Sequence, residues 1–193
     1  NAVPNYTDDI DKNILAAPNS YIYDINLAKT NNYGGIYIPV NKAYDVWRDS
    51  KGFINKKIPD SPQNASVVWQ DKEGLISSVS IVGTGNNAKL KVEVNQTKGK
   101  GNAVVALHVG NNSNDSDPIY WSWHIWVTDD PVNGVTYVNN GDNRMVNTFM
   151  DRNLGAESNN LNSGLANGLH YQWGRKDPLP NFLGTDNQNI YLD

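Results

Sequence analysis

ASVVWQDKEGLISSVSIVGTGNNAKLKVEVNQTKGKGNAVVALHV, residues 65–109, is the stretch whose reading decides the fold. It contains four strand-length runs, ASVVWQD, LISSVSIV, AKLKVEVN and NAVVALHV, parted by EG, GTGNN and KGKG. In AKLKVEV the side chains alternate, with Leu90, Val92 and Val94 inward and Lys89, Lys91 and Glu93 outward. NAVVALHV is apolar on both faces, as a central strand is. A fifth run, PIYWSWHIWVTD at 118–129, follows a polar loop at 110–117. Short strands at this spacing, with Gly/Asn turns and no alternating helices, predict an all-β fold. The specific expectation is an immunoglobulin-like β-sandwich over residues 19–128. Its core should hold Trp69, Leu90, Val92, Val94, Val105, Trp121 and Trp123.

Upstream, SYIYDIN alternates with Tyr21, Tyr23 and Ile25 on one face, and GIYIPV groups Ile36, Ile38 and Val40. Asn41 caps a helical stretch, KAYDVWRDS, whose Tyr44 and Trp47 lie three apart and can cover the mouth of a sandwich. It is the one helix expected before residue 130. Residues 1–18 are polar and proline-flanked and read as an N-terminal arm or linker. After Thr128 the texture changes, and 129–193 is expected to form a smaller, irregular, β-rich unit or an extension packed on the sandwich. Within it MVNTFMDRNLGA reads as a short strand with a polar end, and GLHYQWGRKDPLP as one more aromatic strand.

Composition narrows function by exclusion. The net charge of −4 is spread along the chain, which argues against a nucleic-acid partner needing a clustered basic face. No apolar run is long enough to span a bilayer as a helix. There is no cysteine, so disulfides, thiolate metal sites and cysteine nucleophiles drop out together. His108, His124 and His170 are scattered, without HxxxH or HExxH spacing. No GxSxG elbow supports a serine triad, and GTGNNAK lacks the helix that would follow a phosphate cradle. No strand sets two Asp residues in an obvious cleft for glycoside hydrolysis. The chain is expected to be non-catalytic and to need no cofactor. Five N-x-[ST] matches occur in so Asn-rich a sequence that they carry little weight.

Two constellations could bind something. On β-strand parity, Tyr120, His124 and Trp126 share a face of YWSWHIWV, and aromatic planes flanking an imidazole suit a sugar. The competing reading buries that face beneath residues 129–193. Asp115 and Asp117 in the NNSNDSD loop, with Asp129 and Asp130, are hard oxygen donors of the kind Ca²⁺ prefers. Solvated Asx-turns account for the same residues.

These runs together resemble a family. ASVVWQDKEGLISSVSIVGTGNNAKLKVEV, GNAVVALHV and IYWSWHIWVTD are similar to a stretch common in surface proteins of Bacteroidota labelled fimbrillin-family or adhesion proteins. MDRNLGA and GLHYQWGRKDP resemble the opening of the FISUMP domain, a secreted domain distantly similar to the formylglycine-generating-enzyme fold. The resemblance covers about residues 19–180. It implies an extracellular or bacterial cell-surface module that binds a host or bacterial surface ligand, with glycan the favoured class. Formylglycine generation needs a redox cysteine, which this chain lacks. The FISUMP-like part looks truncated. The alternative is a structural subunit of a pilus, or a fibre or decoration protein on a virion surface, that self-assembles through the N-terminal arm.

Overall fold

A computed structural model describes residues 5–8, 19–49, 64–108, 118–131, 135–138 and 146–180. In chain order the elements are β1 (Asn5–Asp8), β2 (Ser20–Asp24), α1 (Ile25–Asn31), β3 (Tyr33–Pro39), α2 (Asn41–Asp49), β4 (Asn64–Gln70) and β5 (Ile76–Val82). They continue with β6 (Lys89–Val94), β7 (Gly101–His108), β8 (Ile119–Thr128), β9 (Val135–Val138) and β10 (Val146–Phe149). One four-stranded sheet has the order β1-β3-β6-β5, a second has β2-β8-β7-β4, and β9 and β10 form a hairpin. Within the four-stranded sheets, β1 with β3 and β2 with β8 run parallel, and the other pairs are antiparallel. The protein is therefore mostly β.

Alternation explains how the two sheets share a core. Leu90, Val92 and Val94 of β6 meet Ala103, Val105 and Leu107 of β7, with Trp123, Ile125 and Val127 of β8, in a single buried cluster. Every position of β7 is buried, as its apolar double face requires. Of the seven residues expected in the core, Leu90, Val92, Val94, Val105 and Trp123 join this cluster, Trp69 is buried outside it, and Trp121 is only partly buried.

At one end of this core α2 lays Tyr44 and Trp47 against Tyr120. The Tyr44 ring meets Tyr120 edge-on at 5.6 Å, Trp47 stacks on it at 5.3 Å, and Trp47 Nε1 donates to the Tyr120 carbonyl at 2.8 Å. Aromatic pairs in these geometries add to the area they bury.

Three local expectations are corrected. The strand beginning at Ser20 ends at Asp24, whose carboxylate accepts from the Asn26 and Leu27 amides and starts α1 as an N-cap. Ile25 is buried, as alternation predicted, but on a helix. Within the arm, residues 5–8 form a strand paired to β3; the rest of 1–18 lies outside the described residues. Finally, 168–180 is no strand, because its only ladder contact is the isolated His170–Leu179 bridge.

Candidate functional site

The aromatic strand β8 was the first candidate, and its register decides what it offers. Leu107 pairs with Trp121 while His108 pairs with Ile119, so Tyr120 is an extra residue bulged out of the ladder. The bulge breaks parity there. Tyr120 turns into the core cluster beside Tyr44, and burial lifts its phenol far above the usual tyrosine range. His124 and Trp126 do lie on the opposite side from Trp123 and Ile125, yet both are 0% exposed. The three residues therefore do not make an open stacking platform.

Residues 151–180 cover that outer face. Trp126 Nε1 donates to the Ala156 carbonyl at 3.2 Å. Asn102, beside it on β7, donates through Nδ2 to the Gly155 carbonyl at 2.9 Å and to Asp71 Oδ2 at 3.0 Å. With both amide protons so used, Asn102 Oδ1 must accept, and His124 Nε2 at 3.0 Å is the donor. His124 Nδ1 is then the lone-pair side and accepts from Ser20 Oγ at 3.2 Å. The result is a line from the buried Asp71, Asn102 and His124 to the half-buried Ser20, with residues 151–180 as a strap across this face. Gly155 sits at φ +82°, and a Cβ there would fall 2.4 Å from Leu169 Cγ, so the chain can pass this closely only as glycine.

Burial tunes this line. Desolvation lifts Asp71 to about 6 against the opposing hydrogen bonds from Asn102, with Glu157 raising it and Lys72 lowering it. Desolvation lowers His124 to about 4, with Asp177 acting in the opposite sense. His124 is thus a neutral structural group at neutral pH. Nothing in the sequence paired Asp71 with Asn102, since the two are 31 residues apart.

The far end of the strap is pinned at Ser122. Lys176 Nζ donates to the Ser122 carbonyl at 2.7 Å, to Ser122 Oγ at 2.5 Å and to Asp177 Oδ1 at 2.6 Å. Ser122 Oγ donates to Asp177 Oδ2 at 2.7 Å, and the ammonium lies 4.7 Å from the Trp121 ring centroid. These anchors hold a loop that projects from the sheet. His170 and Leu179 exchange backbone hydrogen bonds at its base, and the Arg175 amide closes a turn onto the Gln172 carbonyl around Gly174. At the tip Trp173 is fully exposed, Tyr171 is about half exposed, and His170, Gln172 and Arg175 face solvent. A reading of YQWGRK as a strand hides this loop; the Gly174 turn signal within it was the clue.

Of the four proposed cation ligands, Asp115 and Asp117 lie outside the described residues. Asp129 already faces two protein cations, Lys100 Nζ at 2.7 Å and the Arg152 guanidinium. Burial pushes its carboxyl upward, but those two partners hold it down at about 2. Asp130 is exposed. Among the described residues no group of three or more His, Cys, Asp or Glu is placed to hold a metal ion. Nearby, Phe149, Met150, Leu154 and Leu161 wall an open groove of about 450 Å³ with Asp151 and Asn159 at its polar side. Arg152, with its side chain buried, is committed to Asp151 and Asp129.

Among the described residues no helix is long and apolar enough to cross a membrane. No protein-family model matches the chain, and neither a curated protein nor a solved structure matches it.

Proposed function

We propose that the chain is a non-catalytic recognition module of an extracellular or bacterial cell surface, of the adhesion type it resembles, and that it binds glycan through the 170–175 loop. The observation that carries this is the fully exposed Trp173 beside the half-exposed Tyr171 on a loop anchored at both ends. Leaving an indole in water brings no folding benefit, whereas its plane can stack on the C–H face of a pyranose. Gln172 and Arg175, both exposed on the same turn, supply polar groups for sugar hydroxyls. An immunoglobulin-like scaffold suits such a role. The order β3-β6-β5 facing β4-β7-β8 is what the B-E-D and C-F-G strands of that sandwich would have, with β2 running parallel beside the last strand.

A glycan array tests the proposal. Wild type should be retained on a subset of glycans, and Trp173→Ala should lose that retention with its melting midpoint unchanged. Retention that survives Trp173→Ala removes the loop from the site.

The second reading is a structural subunit of a pilus or virion, and the observation that favours it is β1. This short strand joins the edge of β3 in parallel, the way a donated strand would. Deleting residues 1–18 separates the two: an assembly subunit loses polymerisation, and a glycan-binding module keeps its ligand.

A further inference from the structure

We propose, resting on the glycan reading of the 170–175 loop, that the glycan is acidic, with Arg175 holding a carboxylate or sulfate of the sugar that stacks on Trp173.

Trp173 and Arg175 belong to one turn. The Arg175 amide donates to the Gln172 carbonyl at 3.0 Å, and Gly174 has φ +79°. A four-residue turn with a left-handed third position, as in type II, brings its first and last Cα atoms within about 7 Å. Gln172 and Arg175 therefore stand side by side at the base of the turn, with Trp173 at its corner. A Cβ on Gly174 would meet nothing within 4 Å, so space beside that corner is open. Burial lifts the Tyr171 phenol to about 12, which makes the hydroxyl the inward end of a half-exposed ring. Gln172 and Arg175 are then the polar side chains of the turn.

The charge around the turn is unbalanced. Asp177, the next carboxylate along the chain, is committed: its Oδ1 accepts from Lys176 and its Oδ2 from Ser122. Among the described residues the Arg175 guanidinium has neither an ion pair nor a hydrogen bond. Burial lowers the Lys176 ammonium, Asp177 raises it, and the charge of Arg175 lowers it again. Residues 175–177 thus set two mutually repelling cations against one carboxylate, a positive spot on a chain of net charge −4. An anion answers that spot, and the planar guanidinium fork fits paired anionic oxygens. A neutral sugar would leave the charge unanswered.

A glycan array carrying sialylated, uronic-acid and sulfated glycans beside the neutral parent of each is the test. Wild type should be retained most strongly on acidic members, and salt at roughly 1 M should shrink that preference by screening. Carboxylated and sulfated members, spotted separately, tell which anion the fork holds. Arg175 is exposed, so Arg175→Gln should fold as the wild type does. It should weaken retention on acidic members by roughly tenfold or more and leave neutral ones as they were. Trp173→Ala should lose both kinds. A wild type that holds neutral and acidic members alike, or an acid preference that survives Arg175→Gln, overturns the acidic ligand and leaves the glycan reading standing. Acidic retention that survives Trp173→Ala marks ion exchange alone and overturns both. A wild type that retains no glycan at all also overturns both.

Discussion

Trp126 donates its indole N–H to the carbonyl of Ala156 at 3.2 Å, and through that contact the outer face of β8 becomes an interior. The indole is 0% exposed. Without residues 151–180 it would be an exposed aromatic on a sheet; with them it is a core residue reached by a segment 30 positions away.

Trp126→Ala should therefore destabilise the protein by about 3–5 kcal/mol, the cost of truncating a large buried aromatic. Trp126→Phe keeps most of the packing and loses the donor, so it should cost less. Chemical denaturation of the two variants measures the difference. An unchanged midpoint for Trp126→Ala would show that the strap does not close over β8 in solution.

The line of Asp71, Asn102 and His124 makes stability depend on pH through two groups acting in opposite senses. Asp71 sits at about 6 in the folded protein against an ordinary carboxyl value of 3.8. Its contribution is complete below 3.8 and is lost as pH rises through about 6. His124 sits at about 4 against 6.5, so its contribution is complete above 6.5 and is lost as pH falls through about 4. Asp71→Asn should consequently gain on the wild type as pH rises from 4 to 7. His124→Asn should gain on it as pH falls over the same range. Urea midpoints of the three proteins at pH 4, 5, 6 and 7 check both slopes. Parallel curves would show that neither group is held as the network requires.

Lys176→Met should loosen the 170–179 loop without unfolding the two four-stranded sheets. Burial lowers the Lys176 ammonium and Asp177 raises it again, so the pair depends on its mutual contact. Removing the cation leaves Asp177 with Ser122 Oγ alone and takes the charge from above Trp121. Amide exchange should accelerate at His170 and Leu179, whose N–H groups close the base of the loop. Protection in β7 should stay as it is. Equal protection at His170 and Leu179 in the variant would mean the loop is held by its own turn.

Much of the scaffold could be read from local pattern alone. Period-two alternation assigned Leu90, Val92 and Val94 to the inside, and the doubly apolar run 102–109 announced a central strand. Tyr44 and Trp47, three residues apart after Asn41, marked a capping helix. These readings succeed because a strand or helix face is set by residues within a few positions of each other. Even so, the alternation of Tyr21, Tyr23 and Ile25 concealed the Asp24 cap, since burial at Ile25 satisfies a strand and a helix equally.

What only the tertiary structure decided was which surfaces remain open. One bulged residue in β8 sent Tyr120 inward, and a bulge is set by the partner strand, which no window along β8 contains. The strap from 151 to 180 buried His124 and Trp126 and left Trp173 in solvent, although all three read alike in sequence as aromatic or amphipathic positions. Local pattern determines which residues share a face. Whether that face meets water depends on hydrogen-bond partners tens of residues away, such as Gly155 for Asn102 and Lys176 for Ser122, and a sequence does not write those pairings at any fixed spacing.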